Sequence, residues 1–301
     1  MSALPAESQE FVERRIKSAD GLSIYVRDYA ALAPETGVPV FCLHGLTRNS
    51  KDFDVVAPRI AALGRRTLAW DTRGRGLSDR DSEPARYNPA IYVQDALATL
   101  DQLSIEKAVF VGTSMGGLIT MVLSAMAPQR IAASVLNDIG PEIDPTGLAR
   151  IAGYVGNRKP VTNWDEAAEA IKGINGVAFP DKLNDHAFWL RFAHNTFRQQ
   201  PDGSFAADYD PAIADAFKTP EGQEPAPQPD LKPLFAALSA AGPVLVVRGG
   251  ISDLLSPAGV ATMKGLNPKL ETVDVPRVGH APTLEEPEAW NAIVSFLAKV
   301  A

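Results

Sequence analysis

At 301 residues, with 46% hydrophobic and 22% charged side chains, the chain has the composition of a soluble globular protein and not that of a disordered or fibrous one. A net charge of −7 offers no basic surface for phosphates, so nucleic acid is not an expected partner, and the acidity serves mainly solubility. The single cysteine, Cys42, excludes an intramolecular disulfide and a cysteine metal cluster; it lies in the apolar run Val38 to Leu43, where a buried thiol packs and does not react.

In chain order, Met1 to Ser8 lack the charged-then-apolar layout of a signal peptide, and no apolar run approaches the ~18 residues of a membrane span. A cytoplasmic protein with no membrane partner is expected. Phe11 to Ser18 and Leu22 to Ala30 alternate polar and apolar residues around Asp20-Gly21, which predicts a β-hairpin. The pattern then changes to short continuous apolar runs at 38–43, 66–70, 107–112, 131–136 and 243–248, the mark of strands buried on both faces. Pro89 to Leu103 and Met115 to Met126 carry helical spacing, so repeated strand-helix units predict an α/β fold: a mostly parallel, twisted sheet with helices on both faces.

This alternation stops between about Gly140 and Pro233, where helix-like pieces at 165–172 and 185–197 are joined by loops. The layout predicts a core in two parts, 1–139 and 234–301, and a helical cap inserted at 140–233. Its exit, Lys218 to Pro229, is rich enough in proline to predict an extended, exposed linker. A strand at 270–275 between helices at 257–266 and 287–300 completes the sheet.

Val109-Phe110-Val111-Gly112-Thr113-Ser114-Met115-Gly116-Gly117 places Gly-x-Ser-x-Gly between a strand and a helix. A sharp turn there lifts the Ser114 hydroxyl above the sheet edge, and glycine at both flanks removes side chains that would collide. Ser114 is the candidate nucleophile, and the Met115 amide, at a helix N-terminus, is a candidate oxyanion donor. The strand ending in His44-Gly45-Leu46 offers the Leu46 amide as the second donor. Of the four histidines, His44 lies beside the oxyanion loop and reads as a brace, while His186 and His194 share a helix in the insertion. His280, in the Gly- and Pro-shaped loop Pro276 to Pro282, remains as the base. Two aspartates between serine and histidine follow buried strands: Asp253 is preferred as the acid and Asp138 is the alternative.

With these residues in place, the sequence resembles the α/β-hydrolase superfamily, in particular its capped bacterial members, from about Phe11 to Val300. Four signatures stand in the family's order: His44-Gly45 after the third strand, Asp71-Thr72-Arg73-Gly74-Arg75-Gly76-Leu77-Ser78 after the fourth, the elbow at Ser114, and Gly279-His280 near the end. The resemblance implies a serine hydrolase needing neither cofactor nor metal, with the acid at Asp253 or, as in a minority of members, at Asp138. It treats Asp71 to Ser78 as a structural turn. Dehalogenases and epoxide hydrolases carry aspartate where this chain has Ser114. Prolyl iminopeptidases tend to have tryptophan where Met115 stands, and carbon–carbon hydrolases usually have a glycine-rich oxyanion loop, unlike His44-Gly45-Leu46-Thr47-Arg48. Hydrolysis of an ester of a small, partly apolar molecule is therefore expected first. Carbon–carbon, lactone and thioester hydrolysis follow, then a ligand receptor of the same fold, or an acyltransferase or perhydrolase. Phe188, Trp189 and Phe192 are candidate pocket residues, and Arg48 is a candidate partner for a substrate carboxylate. The oligomeric state is open.

Overall fold

A computed structural model describes residues 10–32, 34–35, 37–156, 161–217 and 229–300. The strands are β1 (Val12–Lys17), β2 (Ser23–Tyr29), β3 (Val40–Leu43), β4 (Thr67–Trp70), β5 (Ala108–Thr113), β6 (Ile131–Asn137), β7 (Phe197–Gln199), β8 (Phe205–Ala207), β9 (Val244–Gly249) and β10 (Glu271–Val275). The helices are α1 (Val56–Ala62), α2 (Pro89–Gln102), α3 (Met115–Met126), α4 (Pro145–Tyr154), α5 (Trp164–Asn175), α6 (His186–Thr196), α7 (Lys232–Ala241), α8 (Pro257–Leu266) and α9 (Pro287–Leu297).

Among the described residues, eight strands form one sheet in the order β1-β2-β4-β3-β5-β6-β9-β10. β2 runs antiparallel to both β1 and β4, and the remaining pairs are parallel. The continuous apolar runs follow from burial on both faces. Phe41 and Leu43 of β3 and Phe110 of β5 pack into one layer with α2, α3 and α7, while Val40, Cys42, Val109 and Val111 pack into the other with α1 and α9. Local chemistry starts the helices: Asn88 and Ser256 accept amide hydrogen bonds ahead of Pro89 and Pro257, which open α2 and α8.

The strand order reverses between β3 and β5, because β4 lies on one side of this pair and β6 on the other. In a parallel α/β sheet a crevice opens at the carboxyl ends of the strands at such a switch point. The loops after β3 and β5 therefore meet there.

The segment between β6 and α7 carries α4, α5, α6 and an antiparallel β7–β8 ribbon. The sequence reading expected only helical pieces; strands of three residues are too short to show a period. Ala167, Ile171, Phe179, Trp189 and Phe205 give this segment a small core of its own. Reciprocal hydrogen bonds fix it to the loop after β3, Asn49 Nδ2 to the Asn195 carbonyl at 2.9 Å and Asn195 Nδ2 to the Lys51 carbonyl at 3.0 Å. The proline-rich exit read as a linker lies outside the described residues apart from Pro229, as do residues 1–9. No helix among the described residues is long and apolar enough to cross a membrane.

Candidate active site

Ser114 directly follows β5, with its backbone at φ 51°, ψ −112°, immediately before α3. A positive φ at a residue other than glycine is strained, on the order of 1–3 kcal/mol, and holds only where the surroundings enforce it. Both flanking glycines are needed to reach it. A Cβ on Gly112 would lie 2.5 Å from the Gly116 carbonyl carbon, and one on Gly116 would lie 2.1 Å from the Leu43 carbonyl oxygen, so any side chain would push α3 away from β5 and β3.

His280 arrives on the loop after β10, with Nε2 2.9 Å from Ser114 Oγ and Nδ1 2.8 Å from Asp138 Oδ2. With Nδ1–H donating to the carboxylate, Nε2 is left bare to accept the serine proton. Asp138 directly follows β6 at φ 55° and is fully buried. Its Oδ1 accepts the Gly249 amide at 2.8 Å, and its Oδ2 also accepts the Ser252 hydroxyl at 2.5 Å. Asn137 ties the parts together, donating through Nδ2 to Thr113 Oγ1 at 3.0 Å and to the Pro282 carbonyl at 2.8 Å.

This geometry corrects the expected contact of Asp253 with His280. The Asp253 carboxylate instead takes a two-pronged ion pair from Arg150 of α4, Nε to Oδ2 at 2.5 Å and Nη2 to Oδ1 at 2.9 Å. Backbone hydrogen bonds bring the two within reach, the Gly147 amide donating to the Asp253 carbonyl at 3.0 Å and the Asp144 amide to the Leu254 carbonyl at 3.0 Å, which draws the loop after β9 against the start of α4. The Arg150 guanidinium holds the Asp253 carboxyl below the usual carboxylate range.

His44, fully buried after β3, donates from Nδ1 to the Gly45 carbonyl at 2.7 Å and accepts the Thr72 amide on Nε2 at 3.0 Å. Burial pushes its pKa down to about 4, so the ring is neutral. It thereby fixes the Gly45–Leu46 peptide, which carries the Leu46 N–H. Met115 opens α3, where the first amides have no partner within the helix. Leu46 lines the same cavity as Ser114.

That cavity, of about 120 Å³, lies between the loops after β3 and β10 and the inserted segment. Phe179, Phe188 and Phe192 supply apolar wall, and Arg48, Asn175, Arg191 and Asn195 supply polar groups. Arg48 is engaged: its Nε lies 3.1 and 2.9 Å from the two Asp52 carboxylate oxygens, its Nη1 donates to Thr196 Oγ1, and its guanidinium stacks 4.2 Å from the Phe192 ring centroid. Trp189 does not line the cavity, against expectation. It is 1% exposed inside the core of the inserted segment, with Nε1 donating to the Lys182 carbonyl at 2.7 Å, because α6 turns that face inward. Phe179, Asn175 and Arg191 were not anticipated, since loop and helix positions so far from Ser114 in sequence carry no local signal. Ser252 was also missed: nothing in its neighbourhood marks a hydroxyl as the partner of Asp138.

The other histidines stay apart from Ser114 in their contacts. His186 Nε2 lies 3.2 Å from Asp165 at the surface, and His194 stacks on Trp164 with ring centroids 3.7 Å apart. Cys42 is buried, and desolvation pushes its thiol pKa up. Among the described residues no cluster of three or more His, Cys, Asp or Glu side chains is placed to hold a metal ion.

Residues 38–287 match the sequence profile of the alpha/beta hydrolase fold family. The chain is 36% identical, over 82% of its length and 83% of the relative's, to a 3-hydroxybutyrate-oligomer hydrolase of Cupriavidus necator. It is 27% identical, over 96% of both chains, to a 2-(acetamidomethylene)succinate hydrolase of Mesorhizobium japonicum. Among solved structures, an alpha/beta hydrolase from Novosphingobium aromaticivorans superposes with a TM-score of 0.88 at 45% identity, covering 97% of this chain and 99% of that one. With its mostly parallel sheet, its strand-turn-helix at Ser114 and this match over most of its length, the chain belongs to the α/β-hydrolase family.

Proposed function

We propose that the protein is a serine hydrolase that cleaves an ester of a short, partly apolar small molecule through an acyl-enzyme. The observation that carries this reading is the unbroken chain of hydrogen bonds from Ser114 Oγ through His280 to Asp138, opening into a cavity that Phe179, Phe188 and Phe192 make apolar. As Ser114 Oγ bonds to the substrate carbonyl carbon, its proton passes to His280 Nε2 and the carbonyl electron pair moves onto oxygen, where the Leu46 and Met115 amides receive it. Asp138 stabilises the resulting imidazolium. Collapse of the tetrahedral intermediate expels the alcohol, protonated by His280, and water then repeats the sequence to release the acid.

The cavity, of about 120 Å³ and walled by three phenylalanines beside Ser114, suits a short acyl or hydroxyacyl group. The relative that acts on 3-hydroxybutyrate oligomers has substrates of that kind. Carbon–carbon, lactone and thioester cleavage would use the same groups. The experiment is turnover of p-nitrophenyl acetate, butyrate and octanoate, with fluorophosphonate labelling, in wild type and Ser114→Ala. Acetate and butyrate should outrun octanoate, and both turnover and labelling should vanish in Ser114→Ala. A folded wild type that is neither labelled nor active would overturn the reading.

A further inference from the structure

Arg75 is 1% exposed and lies in the turn after β4, between the loop after β3 and the start of α3. Its guanidinium gives its hydrogen bonds to neutral acceptors: Nε to the Leu46 carbonyl at 3.0 Å, Nη1 to the Arg73 carbonyl at 2.9 Å and to Tyr92 Oη at 2.8 Å, and Nη2 to Met115 Sδ at 3.5 Å. The rings of Tyr92 and Tyr87 flank it, with centroids 5.0 and 5.6 Å away. No carboxylate among the described residues forms an ion pair with it. Arg73, two residues earlier and equally buried, is met by Asp20, Asp81 and Asp95 at 2.6–2.8 Å.

A buried cation without a counter-ion is costly and rare, since its hydrogen bonds solvate the charge without neutralising it. Here it bonds directly to Leu46 and Met115, the two residues whose amides face the developing oxyanion in the mechanism above. Among the described residues the resting site offers it no ion-pair partner; the tetrahedral intermediate would be one. We propose that Arg75 is the positioning residue of the oxyanion site, fixing Leu46 and Met115 and supplying an uncompensated positive charge whose counter-charge appears only as the substrate oxygen becomes an alkoxide. The role rests on the serine-hydrolase reading. It also gives a function to part of the Asp71 to Ser78 turn, which the sequence reading left as structure. The charge is felt nearby, where it adds to burial in keeping His44 neutral.

The test compares Arg75→Met, which removes charge and donors, Arg75→Gln, which keeps an amide donor without charge, and Arg75→Lys, which keeps charge without the fork. Each is assayed with p-nitrophenyl butyrate and with butylboronic acid, whose adduct on Ser114 is a tetrahedral anion, and its fold is checked by circular dichroism and thermal melting. In Met and Gln, kcat should fall about 10–100-fold with KM little changed, because the lost interaction belongs to the transition state, and boronic acid affinity should fall by a similar factor. Lys should stay within about tenfold of wild type. The role is overturned if a folded Gln or Met variant keeps kcat and boronate affinity within about twofold of wild type, or if Lys loses as much of both as Met does. Should Met not fold, Gln and Lys decide it. A wild type that binds no boronic acid and turns over no ester removes the serine-hydrolase reading itself, and this role with it.

Discussion

β6 and β9 are neighbours in the sheet, and the loop leaving each carries an aspartate whose charge bears on His280. Asp138, fully buried after β6, turns to the imidazole and is held there by the Gly249 amide and the Ser252 hydroxyl, both supplied by the β9 side. Asp253, after β9 and part-exposed, turns away to Arg150 of α4. Residue type and place at a strand end are alike in the two loops; the partners differ. A carboxylate can stabilise imidazolium only while its own charge is not already matched, and Arg150 matches the charge of Asp253 with the strong two-pronged geometry of guanidinium and carboxylate.

The largest effect that would sharpen this comparison is Asp138→Asn. An asparagine there removes the acceptor that selects the Nδ1–H tautomer, so kcat on p-nitrophenyl butyrate should fall about 10³–10⁴-fold, whereas Asp253→Asn should cost less than about tenfold. Equal losses, or a larger one at Asp253, would reverse the assignment. Next comes a rescue: adding Arg150→Met to Asp138→Asn frees Asp253, and about tenfold of the lost kcat should return and vanish again when Asp253→Asn is added. A double variant no faster than Asp138→Asn would show that the Asp253 loop is committed by its backbone bonds and not by Arg150. Ser252→Ala should be milder. Losing one of the three donors to Asp138 should lower kcat by about 3–10-fold, the equivalent of about 0.6–1.4 kcal/mol. The smallest effect concerns stability. Arg150 depresses the Asp253 pKa, so the pair stabilises the fold above the ordinary carboxylate range, and that contribution is lost as pH falls through the depressed value. Thermal melting of wild type against Asp253→Asn should therefore differ by about 1 kcal/mol or less near pH 7 and converge only as pH falls below the ordinary carboxylate range. A difference that grew on acidification would contradict the ion pair.

The neighbourhoods of Ser114 and His44 were legible because short-range sterics dictate them. Gly112 and Gly116 are demanded by contacts closer than 3 Å within the same strand-turn-helix and the adjoining β3, and His44 reaches only to Gly45 and Thr72. His280 could be named by elimination among four histidines, although its contact with Ser114 spans 166 positions. The acid could not be named in the same way. Two aspartates fitted the order, and the choice turned on Arg150, 103 positions from Asp253 in a helix that no sequence pattern had marked.

The inserted segment repeats the lesson. Aromatic residues at helical spacing on α6 showed that one face would be buried, but rotation of the helix on its neighbours decided that Trp189 fills the segment's own core while Phe188 and Phe192 reach the cavity. The sequence alone determined the succession of the central strands, their burial on both faces and the turn at Ser114, because each depends on residues within a few positions of one another. The partner of each carboxylate, the lining of the cavity and the unpaired charge of Arg75 were decided only when the sheet order brought distant loops together at the switch point between β3 and β5. These features depend on long-range packing, to which no local pattern in the chain corresponds.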